Sequence, residues 1–447
     1  MALRNIISCG LEPIDQVLQP FQDFFRSKTT GGILLIISAL AALIWANSPW
    51  GAHYIAVWET HFTVGYGEYT LSKPLLLWVN DGLMAIFFFV VGLEIKREFM
   101  VGELSTQRQA VLPIFAAIGG MVAPAVIYAL INIGGPGTHG WGIPMATDIA
   151  FALGILALLG DRIPYQLKIF LTAVAIVDDI GAVLVIAMFY SSGIAMNMLL
   201  IAMGLLFIAF IGNRLGIRAP LFYAIVGALL WLAVLKSGVH STVAGVLMAF
   251  TIPGRTTCDS DAFQFNATAI LREYSKAAEP GKSVLTNPTM NSTLLAMQHV
   301  AVRAQTPLQR LEHTLHPVAD YLIMPVFALA NAGVVLGGDF AALMASQVAL
   351  GTLFGLVLGK PLGITISVWI LVKTSGGWPG GMNIRQFVGA GLLAGIGFTM
   401  SLFIAALAFS DSPEMLNAAK TAILGASALA GLAGYMVLRS EPLPNGE

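Results

Sequence analysis

The chain has 447 residues, of which 57% are hydrophobic and only 11% charged, with a net charge of −1. An average soluble domain carries about 25% charged residues, so an ordinary water-soluble globule is excluded, and the balanced charge gives no footing for nucleic acid. Cys9 and Cys258 are the only cysteines, which excludes a disulfide framework, and neither stands at metal-ligand spacing.

The first residues, MALRNIISCGLEPIDQ, lack an apolar core and a small-residue cleavage site, so they read as a retained tail. A bilayer-crossing helix needs roughly 20 mostly apolar residues. Such stretches fall at 30–47, 75–100, 109–131, 142–160, 165–190, 194–212, 219–236, 238–252, 312–336, 344–372, 385–409 and 416–438. The predicted fold is therefore an all-α integral membrane protein with twelve transmembrane helices. The seventh and eighth stretches are short enough to be read as one.

Residues 51–73 alternate around Gly65-Tyr66-Gly67, with Tyr54, Ile55, Val57 and Trp58 before and Tyr69 and Leu71 after. This reads as a β-hairpin on the outer face, or equally, by pattern alone, as an irregular loop. A hairpin edge would offer pairing to a second copy, which predicts a homodimer. Residues 253–311 are polar, and poor order is expected there. Their two Asn-x-Thr triplets, at Asn266 and Asn291, match a glycosylation pattern by chance if the segment lies inside.

Basic residues decide the topology. With the chain starting inside, 19 of the 23 Lys and Arg fall on inner segments, from Arg4 and Arg26 through Lys282 to Arg439. Lys73 and Lys236 fall outside, and Lys360 and Lys420 within spans. Merging the seventh and eighth spans would spoil this bias, so both termini are expected in the cytoplasm.

A charge at the bilayer centre costs about 3 kcal/mol on insertion scales. Asp81, Asp148, Asp178, Asp179 and Lys360 would together cost roughly 15 kcal/mol uncompensated, the scale of a domain's whole net stability. They must converge, pair or titrate. Asp178 and Asp179 lie deep in the fifth span, about 100° apart around the helix. They read as a switch for which protons and a small cation compete, with a polar staple between helices as the plainer alternative. Hard cations take oxygen ligands. Asp148 lies in GWGIPMATDIAFALG, where Pro144 and glycines weaken the helix and Thr147 adds a hydroxyl. The glycine-dense GAGLLAGIGFTMS at 389–401 weakens another. Broken helices expose positive and negative half-helix ends, which Asp148 and Lys360 are suited to neutralise. Lys360 reads either as the ion-pair partner of a fifth-span carboxylate or as a snorkelling lysine. The interrupted spans are the fourth and the eleventh, the middle members of spans 3–5 and 10–12. Matched interruptions point to a transporter site at the interface of two inverted repeats.

Several motifs carry a family resemblance: NDGLMAIFFFVVGLEIKRE (80–98), ATDIAFALGILALLGDR (146–162), VAIVDDIGAVLVIA (174–187), GVHSTVAG (238–245), RLEHTLHP (310–317), GKPLGI (359–364) and AGIGFTMSLFI (394–404). The chain resembles the NhaA family of bacterial sodium/proton antiporters, itself a known example of inverted-repeat transporters. The resemblance implies Asp179 as the main sodium-binding carboxylate, with Asp178 beside it and paired to Lys360. It puts Asp148 and Thr147 at the crossing of the broken helices, and Asp81 and Asn80 beside the cation route. It implies a pH-sensing group of Glu94, Arg97, Glu98, Glu312, His313 and His316, with His240 as a further pH-linked position. The long segment before the ninth span departs from the family pattern.

The implied organisation has interface regions at 1–108 and 194–252 and core repeats at 109–193 and 344–438. The insert at 253–311, the ninth span within 312–343 and a tail at 439–447 complete it. The expected activity is electrogenic, pH-regulated exchange of sodium or lithium for protons by alternating access, in a bacterial inner membrane and without a cofactor. A solute carrier of the same fold is the alternative. An intramembrane aspartyl protease, the rival enzyme class, needs Tyr-Asp and Gly-x-Gly-Asp motifs, and no span contains them.

Overall fold

The computed structural model describes residues 28–66, 69–191, 193–278, 284–335, 340–375 and 382–441. The tail with Arg4, Cys9 and Arg26, the hairpin residue Gly67, and Lys282 lie outside the described residues.

Helix α1 (Lys28–Ala46) turns by 113° into α2 (Gly51–Glu59). Strands β1 (His61–Tyr66) and β2 (Tyr69–Pro74) then pair antiparallel, with Phe62 opposite Lys73. The expected hairpin at 51–73 is thus corrected in extent: its first half is helical. Tyr54 and Trp58 stand one helical turn apart and stack edge to face, and the Tyr54 hydroxyl lies 2.9 and 3.0 Å from the carbonyls of Leu329 and Ala330, either of which can accept its proton. Those residues are spaced for a helix face, which alternation along a strand had concealed.

The long helices follow. They are α3 (Leu75–Val101), α4 (Gln107–Ile131), α6 (Tyr165–Phe189), α7 (Met196–Arg214) and α8 (Pro220–Ser237). Between α4 and α6 a 3-10 helix, Pro136–Met145, breaks at 44° from α5 (Ile149–Leu158). Helix α9 (Thr242–Thr251) has only ten residues.

The described residues of the polar segment 253–311, which are 253–278 and 284–311, are largely helical, contrary to the expectation. It forms α10 (Ser260–Ala277) and α11 (Pro288–Ala304), packed against each other. Asp259 and Asn287 cap their first amides, so local capping and amphipathic pairing supply what the low hydrophobicity seemed to deny.

Helix α12 (Pro307–Val318) runs through a π turn, Ala319–Ile323, into α13 (Met324–Asn331). The short α14 (Phe340–Ala345) precedes α15 (Gln347–Phe354), a π turn at Gly355–Gly359, and α16 (Lys360–Ser375). Helices α17 (Ile384–Ala394) and α18 (Phe398–Ala408) meet at 47°. Helix α19 (Pro413–Arg439) closes the described chain.

Helices thus occupy all twelve apolar stretches. Among the described residues, seven helices are long and apolar enough to cross a membrane by themselves, or up to ten if each bent pair is one span. Their outer faces are oily: Leu200, Ile201, Met203, Phe207 and Ile208 of α7 are all exposed. Such a continuous surface is stable against lipid rather than water. This is a multi-pass helical membrane protein.

Close helix packing depends on small residues. A Cβ on Gly92 of α3 would lie 2.7 Å from that of Ala249 on α9, while one on Gly425 of α19 would meet nothing within 4 Å. Gly92→Leu is expected to lower the thermal midpoint of the purified protein, since overpacking costs about 1–3 kcal/mol. Gly425→Ala should leave it unchanged. Equal midpoints for all three proteins would contradict the packing.

Candidate functional site

The two helix breaks touch. The Asp148 amide donates to the Ile396 carbonyl at 2.7 Å, which ties the break before α5 to the break between α17 and α18. Asp148 is the N-cap of α5, its Oδ1 accepting from the Phe151 amide at 3.0 Å. Its Oδ2 accepts from the Thr399 amide at 3.2 Å and the Thr399 hydroxyl at 2.5 Å, in the first turn of α18. One carboxylate therefore serves the positive ends of both half-helices. The Ser401 hydroxyl donates to the Ile143 carbonyl at 2.7 Å, adding a second strut across the crossing.

Asp178 and Asp179 reach this crossing from the middle of α6. Thr147 Oγ1 lies 2.7 Å from Asp178 Oδ2 and 2.8 Å from the Ala394 carbonyl. A hydroxyl has one proton, so it can donate to only one of them at a time. Lys360 Nζ pairs with Asp178 Oδ2. The preceding π turn, rare in general and frequent at functional sites, sets the rotation of Lys360 at the head of α16. Asp148, Thr147, Asp178, Asp179 and Lys360 are all at most 2% exposed. Lys360 is not a snorkelling residue. Oδ1 of Asp178 and Oδ1 of Asp179 are buried without a hydrogen-bond partner among the described residues. Buried carboxylate oxygens are costly in that state, and a proton or a hard cation would relieve both.

Two further groups lie along α3. At one end, Asp81 sits in a π turn, Trp78–Leu83. Lys73 of β2 pairs with its Oδ2 at 2.8 Å, and His240 Nε2 lies 3.7 Å from its Oδ1. Asn80 exchanges side-chain amides with Asn331 of α13, the shorter bond being 2.8 Å. At the other end, Arg97 joins Glu312 at 2.8 Å, Glu98 at 2.9 Å and Glu94 at 3.9 Å. His316 turns to Asp320, 3.6 Å away. His313 is exposed and reaches the group only through space, by its charge on Glu312. Thirteen to seventeen residues separate the two ends, about 20 Å along a helix, so His240 stands with Asp81 and not with the Arg97 group.

Sequence reading missed several partners. Thr399 sat inside a quoted glycine-rich motif, its role hidden because its partner is 251 positions away. Asp320 was overlooked although its signal was plain, a lone carboxylate in an apolar span four residues after His316. Lys73 and Asn331 gave no local signal.

A bundle of apolar helices in which two broken members cross at buried carboxylates and an amine defines a membrane ion transporter. The family model described as Na+/H+ antiporter 1 matches residues 22–438. The chain is 51% identical to the Na(+)/H(+) antiporter NhaA of Oleidesulfovibrio alaskensis over 98% of both chains. It is 49% identical to that of Koribacter versatilis, over 95% of this chain and 92% of the relative. To that of Helicobacter pylori it is 44% identical over 93% and 94%. The chain belongs to the NhaA family of Na+/H+ antiporters.

Proposed function

We propose that this chain carries out electrogenic, pH-regulated exchange of sodium or lithium for protons across the bacterial inner membrane. Sodium/proton antiport itself follows from the family. The finer reading rests on one observation: two adjacent buried carboxylates each keep an oxygen unpartnered, and one of them is also held by a buried amine. Asp179 and Asp178 take sodium from the cytoplasmic side as they give up protons. Asp148 and Thr147 hold the two half-helix pairs in register around them. Lys360 stands in for the cation at Asp178 when sodium is absent. More than one proton then moves per sodium, and the membrane potential drives the cycle.

We read the twelve stretches as twelve spans with both termini cytoplasmic, spans 3–5 and 10–12 being inverted repeats that rock against the rest. Asp81 and Asn80 flank the outer route, and the β-hairpin joins two copies. Glu94, Arg97, Glu98, Glu312, His313 and His316 form the cytoplasmic pH-responsive group, with His240 acting from the opposite end.

The test uses inside-out vesicles with an acid interior. Sodium or lithium added outside should dissipate the acidity, and potassium should do much less. A response that did not depend on membrane potential would overturn the electrogenic reading. Activity is expected to rise as cytoplasmic pH passes about 7 to 8, the range in which a cluster of interacting charges can act as a switch. Arg97→Gln should move that rise to more alkaline pH, because it removes the cation that Glu312, Glu98 and Glu94 share. An unchanged profile from pH 6 to 9 would remove Arg97 from regulation.

A further inference from the structure

A cavity of about 340 Å³ opens where α11 of the insert meets the membrane helices. Its lining includes Arg218, His299, Arg303 and Arg310, and no acidic residue. Among the described residues, no carboxylate pairs with any of the three guanidinium groups. Three arginines that line one cavity without an acidic residue raise its positive potential, and an anion held there is attracted to all three.

The framework is fixed rather than incidental. Thr257 bonds the Arg303 carbonyl through both its amide and its hydroxyl, each at 3.3 Å, which holds the end of α11 against the chain leaving α9. The Leu308 amide donates to the Pro253 carbonyl at 3.2 Å and docks the start of α12 on the same segment. Ala219, which has no side chain to cap with, precedes α8, so the positive end of that helix also faces the cavity.

We infer that this cavity binds a phosphate group, with Arg218 from the loop before α8, Arg303 from the insert and Arg310 from α12 as its charged ligands. Planar guanidinium forks match phosphate oxygens in pairs. The volume accepts a phosphate with a small substituent and excludes a folded partner. The ligand bridges three parts of the chain, so it fastens the insert to the helix that carries Glu312 and His316. The site is independent of the ion-exchange reading, because none of its residues touches the carboxylate crossing.

The phosphate can belong to a soluble anion or to a lipid headgroup, and two arms separate these. In the first, pyrophosphate is titrated calorimetrically into purified full-length protein in zwitterionic detergent. In the second, the protein is placed in phosphatidylcholine nanodiscs with and without phosphatidylglycerol, and retained lipid is measured by native mass spectrometry. Saturable binding in the first arm identifies a soluble ligand, and selective phosphatidylglycerol retention in the second a lipid. In either case Arg303→Gln and Arg310→Gln should each weaken binding about ten-fold, the scale of one charge-assisted bond. Arg303→Lys should lose less, and binding should weaken with salt. Arg303→Gln should leave basal antiport unchanged, which shows the variant is folded. No binding in either arm, or equal binding by the wild type and the Arg303→Gln, Arg310→Gln double variant, would overturn the site.

Discussion

Asp179→Asn is expected to abolish sodium-driven proton movement in vesicles, lowering the rate by at least about 100-fold, the loss of roughly 3 kcal/mol of differential stabilisation. Asp179 lies mid-way along α6 at 2% exposure, with its Oδ1 lacking any protein donor. An asparagine fits the same space but cannot release a proton, and its neutral oxygen is a poorer ligand for a hard cation. Both halves of the exchange fail together. A folded Asp179→Asn protein that exchanged at the wild-type rate would move the site elsewhere.

The second large effect is on stability. Lys360 and Asp178 form an ion pair with both side chains fully buried. Removing one partner strands the other charge, which costs about 3–5 kcal/mol when a buried pair is broken. Lys360→Met should therefore lower the thermal midpoint sharply. Replacing both partners often costs far less, so the double change Lys360→Met with Asp178→Asn should recover much of the loss. The double-variant cycle isolates the pair from other effects of the methionine. Additive losses would mean that the two groups do not depend on each other. Transport should fail in the double variant even as its stability returns.

Much of this was legible in the sequence because membrane interiors punish charge. Asp148, Asp178, Asp179 and Lys360 stood out within apolar runs, and all four are buried in the structure, two of them, Asp178 and Lys360, as an ion pair that Thr147 also joins. The helix interruptions were legible from Pro144 and the glycines near 395. Their contact was not: the bond from Asp148 to Ile396 joins residues far apart in the chain, and nothing local encodes it. The π turns at Trp78–Leu83 and Gly355–Gly359 likewise had no sequence mark beyond glycine. The insert misled because its composition is polar, whereas Asp259 and Asn287 were readable as helix starts. Residues 51–59 misled because aromatic and β-branched residues suit strands, yet Tyr54 was needed on a helix face to reach α13.

Competition for the oxygens of Asp178 and Asp179 is most directly visible as protons leaving when sodium arrives. Purified protein in a weakly buffered solution near pH 8, with a pH dye, should acidify its medium when sodium chloride is added and not when choline chloride is added. The Asp178→Asn, Asp179→Asn double variant should give no signal. Sodium uptake by the wild type with no proton release would contradict exchange at a shared site.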